Sequence, residues 1–142
     1  MQTKIKLTEL DWNFYKKLTT TEFGVQECID VTEGKNIFKN IRSFNILNDK
    51  NNAVGVIEIF DNEEYKNITN TIIDIEYRGN GYALEAKKTL LIELDLPYLM
   101  FFIKRNNISS LKSVNKLDNL IKISSPEWED IYDKHIFIWK PV

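Results

Sequence analysis

Arg78, Gly79, Asn80, Gly81, Tyr82 and Ala83 stand between an apolar run that includes Ile72 and Ile73 and a helical pattern that opens at once. That spacing builds an anion site. The first N–H groups of a helix have no intrahelical acceptor and converge with the positive end of its dipole. Gly79 and Gly81 remove the Cβ atoms that would keep a phosphate from the backbone, and Ala83 keeps the first turn slim. The segment therefore predicts a pyrophosphate site. A dinucleotide fingerprint would need a glycine where Leu84 stands and an acidic residue about twenty positions on, where the chain reads Lys104-Arg105-Asn106. A P-loop would need Gly-Lys-Ser/Thr, and Gly81 is followed by Tyr82. A strand–helix turn without a ligand is the plain alternative.

A second segment, Asn107-Ile108-Ser109-Ser110-Leu111-Lys112-Ser113-Val114-Asn115-Lys116-Leu117, follows after one helical and one strand pattern. In that order and separation the two segments resemble the Arg/Gln-x-x-Gly-x-Gly/Ala loop and the Asn-x-x-Ser/Ala…Lys-Leu segment of the GNAT N-acetyltransferase superfamily. With Tyr82-Ala83-Leu84-Glu85-Ala86 the chain is similar to the ribosomal-protein and protein N-terminal acetyltransferase branch. The resemblance runs from about residue 53 to about residue 124.

The resemblance implies acetyl-CoA as acyl donor. Its pyrophosphate would rest on the amides of residues 78–83, with Arg78 adding charge. The strand carrying Ile72 and Ile73 would offer backbone groups to the acetyl-pantetheine arm, with the Ile73 N–H toward the acetyl carbonyl. Asn107 matches the asparagine beside that arm, where an amide both donates and accepts; a helix N-cap is its other role, and the two are compatible. Many relatives carry a tyrosine four residues after the motif Ser/Ala to reprotonate the leaving thiolate, and this chain has Val114 there. Ser110 then stands as the proton donor or relay, or as a packing and capping residue. The strand position often held by a glutamate falls near Asn67 or Ile68. Asn67 can orient a water, and Glu58 on the preceding strand is the candidate base. Glu63 and Glu64 in the approaching turn, and the single histidine, His135, are further candidates with ordinary surface or structural explanations. Asp118-Asn119 replaces the usual Gly-Phe after Lys-Leu, which alters the turn into the next strand.

Composition bounds the rest. The chain has 142 residues, 43% of them hydrophobic, which suits one domain over residues 1–142. A net charge of −2 gives no basic excess for nucleic acid or an anionic membrane. No apolar run reaches the roughly 20 residues of a spanning helix, and the first residues lack a signal-peptide core. Cys28 is the only cysteine, which excludes an internal disulfide and a cysteine-built metal site; a small buried group is its expected role. No metal is expected, and the expected setting is a bacterial cytoplasm.

The elements that must position these residues follow from patterning. Residues 4–7 alternate as a first strand, and Asp11 caps a helix through Leu18 that places Trp12, Tyr15 and Leu18 on one face. A short helix is predicted over residues 33–41, a hairpin over 42–47 and 53–60, and a strand over 67–75. A helix over 81–94 sets Leu84, Leu91 and Leu94 inward and Lys87 and Lys88 nearer solvent. Residues 98–103 read as a strand buried on both faces, and a helix runs from Ser109 or Ser110 to about Leu117. Residues 120–124 and 131–139 close the sheet, with an acidic loop (Glu127, Glu129, Asp130, Asp133) between them that can attract a cationic amine or simply be solvated; its Tyr132 is a spare candidate acid. Trp12, Phe14, Tyr15, Phe23 and Phe38 line an acceptor cleft or belong to the core. This is a mixed α/β order, and the resemblance implies a mostly antiparallel sheet, splayed at the acetyl-CoA site, with helices on both faces. The expected function is direct acetyl transfer to a primary amine, with no covalent enzyme intermediate. The alternatives are a non-catalytic CoA-binding or protein-interaction module on the same fold and, third, a nucleotide-binding module. The acceptor's identity stays open, as does monomer against homodimer.

Overall fold

A computed structural model describes residues 4–21 and 38–141. Seven strands form one sheet: β1 (Ile5–Glu9), β2 (Lys39–Asn48), β3 (Ala53–Asp61), β4 (Ile68–Ile73), β5 (Leu99–Lys104), β6 (Leu120–Lys122) and β7 (Lys134–Trp139). Their spatial order is β1-β2-β3-β4-β5-β7-β6, and every neighbouring pair is antiparallel except β4 with β5. The described helices are α1 (Trp12–Thr21), α2 (Tyr82–Glu93), α3 (Ile108–Val114) and α4 (Pro126–Tyr132). The one parallel pair is joined through α2, as a parallel connection requires.

Alternation along each strand makes two apolar faces. Ile57, Ile59, Ile73, Phe101, Phe137 and Trp139 pack with Ala86 and Leu90 of α2 and Val114 of α3. On the other face Tyr15 and Leu18 of α1 cover Val56, and Trp128 of α4 packs on the cluster of Phe60, Ile68, Met100 and Ile136. Helices thus lie on both faces, as expected. Asp11 caps α1 by accepting from the N–H groups of Asn13 and Phe14 at 2.9 and 3.3 Å. Tyr15 and Leu18 turn inward, whereas Trp12 stays 53% exposed.

Several expectations need correction. Residues 39–41 belong to β2 and not to a helix; residues 33–37, with Phe23 and Cys28, lie outside the described residues. β4 ends at Ile73, because Asp74 caps a 3-10 turn over Ile75–Tyr77. The acidic loop is a helix: Ser125 accepts from the Trp128 N–H at 3.2 Å and Pro126 takes the first position, where its missing N–H costs nothing. Lys87 is not near solvent. It follows Ala86 and Leu90 inward, is 7% exposed, and its amine curls back toward the Ala83 carbonyl. Among the described residues each non-glycine residue with positive φ is Asn or Asp (Asn40, Asn51, Asn67, Asp95, Asn119, Asp133), so many of the asparagines form turns.

Candidate functional site

Two glycines shape the turn into α2. Gly79 and Gly81 have φ of 82° and 80°, conformations that L side chains rarely adopt. Gly81 is the N-cap and brings no side-chain hydrogen bond; the first helical bond runs from the Glu85 N–H to the Gly81 carbonyl at 3.1 Å. The N–H groups of Tyr82, Ala83 and Leu84 therefore point out of a twelve-residue helix with no acceptor in it. Residues 78–81 are exposed, and a Cβ built on Gly79 would meet nothing within 4 Å. Arg78 donates through Nε to the Ile73 carbonyl at 3.0 Å, and Asn80 donates through Nδ2 to the Tyr77 carbonyl at 3.0 Å. Both side chains thereby brace the turn. Tyr82 meets Tyr77 edge to face, 6.4 Å between centroids.

The turn stands at the open end of a split sheet. β4 and β5 pair at a single bridge, Ile68 with Met100, though β4 runs on to Ile73 and β5 to Lys104. Asn67 clamps the closed end: its carbonyl accepts from the Met100 N–H at 2.8 Å, and its Nδ2 donates to the Tyr98 carbonyl at 3.1 Å. On the β3 side the Asp74 N–H donates to the Val54 carbonyl at 2.8 Å, and register sets Val56 against Ile72 and Glu58 against Asn70. Hydrogen-bonded pairs alternate in an antiparallel ladder, so Ile72 spends its backbone groups on β3 while Thr71 and Ile73 turn theirs toward β5. Gly55 allows this closeness; a Cβ there would lie 2.4 Å from the Ile72 carbonyl oxygen.

No protein-family model matches the chain, and no curated protein matches it in sequence. Solved structures do match along nearly its whole length. N-acetyltransferase PseH of Campylobacter jejuni, in complex with acetyl coenzyme A, aligns at a TM-score of 0.63 and 16% identity over 98% of this chain and 100% of that one. A GNAT-family acetyltransferase of Staphylococcus aureus Mu50 aligns at 0.61 and 12% identity, over 98% and 100%. A spermidine N-acetyltransferase SpeG chimera from Vibrio cholerae and hSSAT gives 0.62 and 13%, over 96% and 95%. The fold is the GNAT fold.

Within this GNAT fold the remaining candidates divide. Asn107 caps α3, its Oδ1 accepting from the Ser110 N–H at 3.2 Å, and Ser110 lies in that first turn, half-buried. The cap places both at the end of β5 that faces the open gap. Glu58 is fully buried in β3, opposite Asn70 of β4 and Ser43 of β2, on the face of Val56 and Phe60 and not that of α2. Asn67 holds two strands together through its backbone carbonyl and its Nδ2. Val114, at the position where the resemblance would place a tyrosine, is buried in the core.

The acidic segment is largely neutralised. Asp130 and Asp133 pair with Arg105 at 2.9 and 2.8 Å. Glu129 accepts from Ser124 Oγ at 2.6 Å and meets His135 Nδ1 at 2.5 Å, with Lys122 at 3.4 Å. The His135 bond, then that of Ser124, holds its carboxyl down to about 2. His135 is thus a structural partner. A carboxyl lowered from 4.5 to about 2 adds stability that is present above the higher value and lost as pH falls through the lower. Urea midpoints should therefore fall between these two values, and Glu129→Gln should flatten that part of the profile. Asn119 and Asp118, at the altered turn, engage Pro141 and Trp139 instead of opening the sheet.

Proposed function

We propose that the chain is an acetyl-CoA-dependent N-acetyltransferase acting on a primary amine. One observation carries this reading: a helix N-terminus with no side-chain cap, shaped by two left-handed glycines, stands at the mouth of a gap toward which β4 turns the backbone N–H groups of Thr71 and Ile73. The first feature suits a pyrophosphate and the second an extended amide-bearing arm. The PseH complex supports acetyl-CoA as the donor, and the polyamine acetyltransferase supports an amine as acceptor. The donor supplies an acetyl thioester, which reacts readily with an uncharged amine.

The protein's own contribution is placement and proton handling. The amides of residues 79–84 and the charge of Arg78 would hold the phosphates. The Ile73 N–H would point at the acetyl carbonyl, and Asn107 would stand beside the arm. Ser110 is the proton donor or relay in place of the missing tyrosine, and Glu58 the group that takes the acceptor's proton through water. Holding two reactants in register supplies much of the rate by itself. The segment Tyr82-Ala83-Leu84-Glu85-Ala86 supports kinship with the protein N-terminal acetyltransferase branch. No described helix is long and apolar enough to cross a membrane.

A second reading, a non-catalytic CoA-binding module, is favoured by Val114 and by the complete burial of Glu58. Thermal melting tests the shared premise. Acetyl-CoA at about 100 times its dissociation constant should stabilise by about 2.7 kcal/mol and raise Tm by about 5–10 °C, with CoA similar and ADP smaller. No shift with any of the three would remove both readings; binding without acetylation of any primary amine would leave the second.

A further inference from the structure

Lys87 is a buried cation with no carboxylate partner among the described residues. Its Nζ has the Ala83 carbonyl at 3.5 Å on one side and the Phe101 ring centroid at 5.6 Å on the other. Ala83 belongs to the first turn of α2, and Phe101 is the residue of β5 just past the single bridge to β4. The amine therefore sits between the anion turn and the β5 wall of the gap. Placement there is unfavourable for a cation on two counts: desolvation, and proximity to the positive end of a helix dipole. An anion bound at that helix end would offset both costs by direct attraction.

Resting on the acetyl-CoA reading above, we propose that Lys87 is the internal counter-charge for the donor's phosphates. It acts across the first turn of α2, so that binding and protonation of its amine are coupled. Among the described residues no ion pair offsets it. On α2, Glu85 and Lys88 face each other at 4.0 Å. β4 and β5 turn Thr71, Ile73, Phe101 and Ile103 toward this face, none of them ionisable, and α3 brings Leu111 and Val114, with Lys112 exposed. Tyr77 and Tyr82 pack against each other beside the turn. Burial lowers the Lys87 amine from 10.5 to about 8, so it loses charge where a solvent-exposed lysine would keep it.

Isothermal titration of the full chain with acetyl-CoA at about pH 7 and about pH 10, in buffers of different ionisation enthalpy, tests this. Affinity should weaken about tenfold between the two, with proton uptake on binding at the intermediate pH. Lys87→Met should bind about tenfold more weakly at about pH 7 and lose the pH dependence, while Lys87→Arg should keep the affinity and lose the dependence. Equal affinity of wild type and Lys87→Met, or an unchanged pH slope in that variant, would overturn the coupling while leaving the acetyl-CoA reading intact. Wild-type protein that takes no acetyl-CoA at either pH would overturn the reading itself.

Discussion

Gly81→Val is expected to lose acetyl-CoA affinity by at least about a hundredfold while the protein stays folded, an effect of about 3 kcal/mol. The reason is local. Gly81 has φ of 80° and ψ of 9° at the N-cap, so a side chain there both strains the turn and stands over the Tyr82, Ala83 and Leu84 N–H groups. A left-handed non-glycine residue costs about 1–2 kcal/mol, which a domain of this size survives. Gly81→Ala separates the two effects, since it carries similar backbone strain with less bulk. Titration with acetyl-CoA beside circular dichroism melting reads both. Normal affinity in the folded valine variant would remove the turn as the phosphate site.

Lys87→Met is expected to raise stability at pH 7 by about 3 kcal/mol, taking 1.36 kcal/mol per unit for a lysine lowered from 10.5 to about 8. The sign follows from proton binding. Between these two values the unfolded chain holds a proton that the folded chain has released, so wild-type stability rises with pH through that window. Below it the full cost of the buried charge is present; above it none remains. The advantage of the methionine variant should therefore be largest at neutral pH and vanish above about 10.5, in guanidinium midpoints measured across the range. A buried group that destabilises its own fold at neutral pH is a candidate for a functional role. The same substitution should thus strengthen the fold and weaken the site.

The turn into α2 was legible because glycine spacing reports a backbone requirement directly: both of its glycines have positive φ. The β2–β3 hairpin was legible from alternation and from its turn-rich connection, though β2 begins at Lys39 and not at residue 42, and the mixed α/β order followed. Helix α4 was missed although Ser125-Pro126 is a start signal, because the acidic residues after it were weighed as charge and not as a first turn. Lys87 was misplaced for a different reason. Periodicity assigns faces by residue type, and a lysine among Ala86 and Leu90 reads as an edge until packing shows it inside. Asn67 was taken for chemistry because the strand position that the resembled family often gives to a glutamate falls near it. Only the long-range bonds to Tyr98 and Met100 reveal its use as a clamp, and those partners lie about thirty residues away. Glu58 and Ser110 are placed by the fold, but their proton chemistry depends on an acceptor that no spacing encodes.

The solitary bridge between Ile68 and Met100 has a bearing on how the molecule breathes. On one side lie four antiparallel strands that are consecutive in the chain; on the other lie three more, also consecutive. Each group closes its own ladder from near neighbours, and the seam between them adds almost no backbone bonding. Opening of the seam thus disrupts few hydrogen bonds, whereas opening of either group disrupts many. Amide exchange should divide along that line, with slow protons inside β3 and β7 and fast ones at Thr71, Ile73 and Phe102. A ligand threaded into the seam would act as an added strand and join two cooperative units into one.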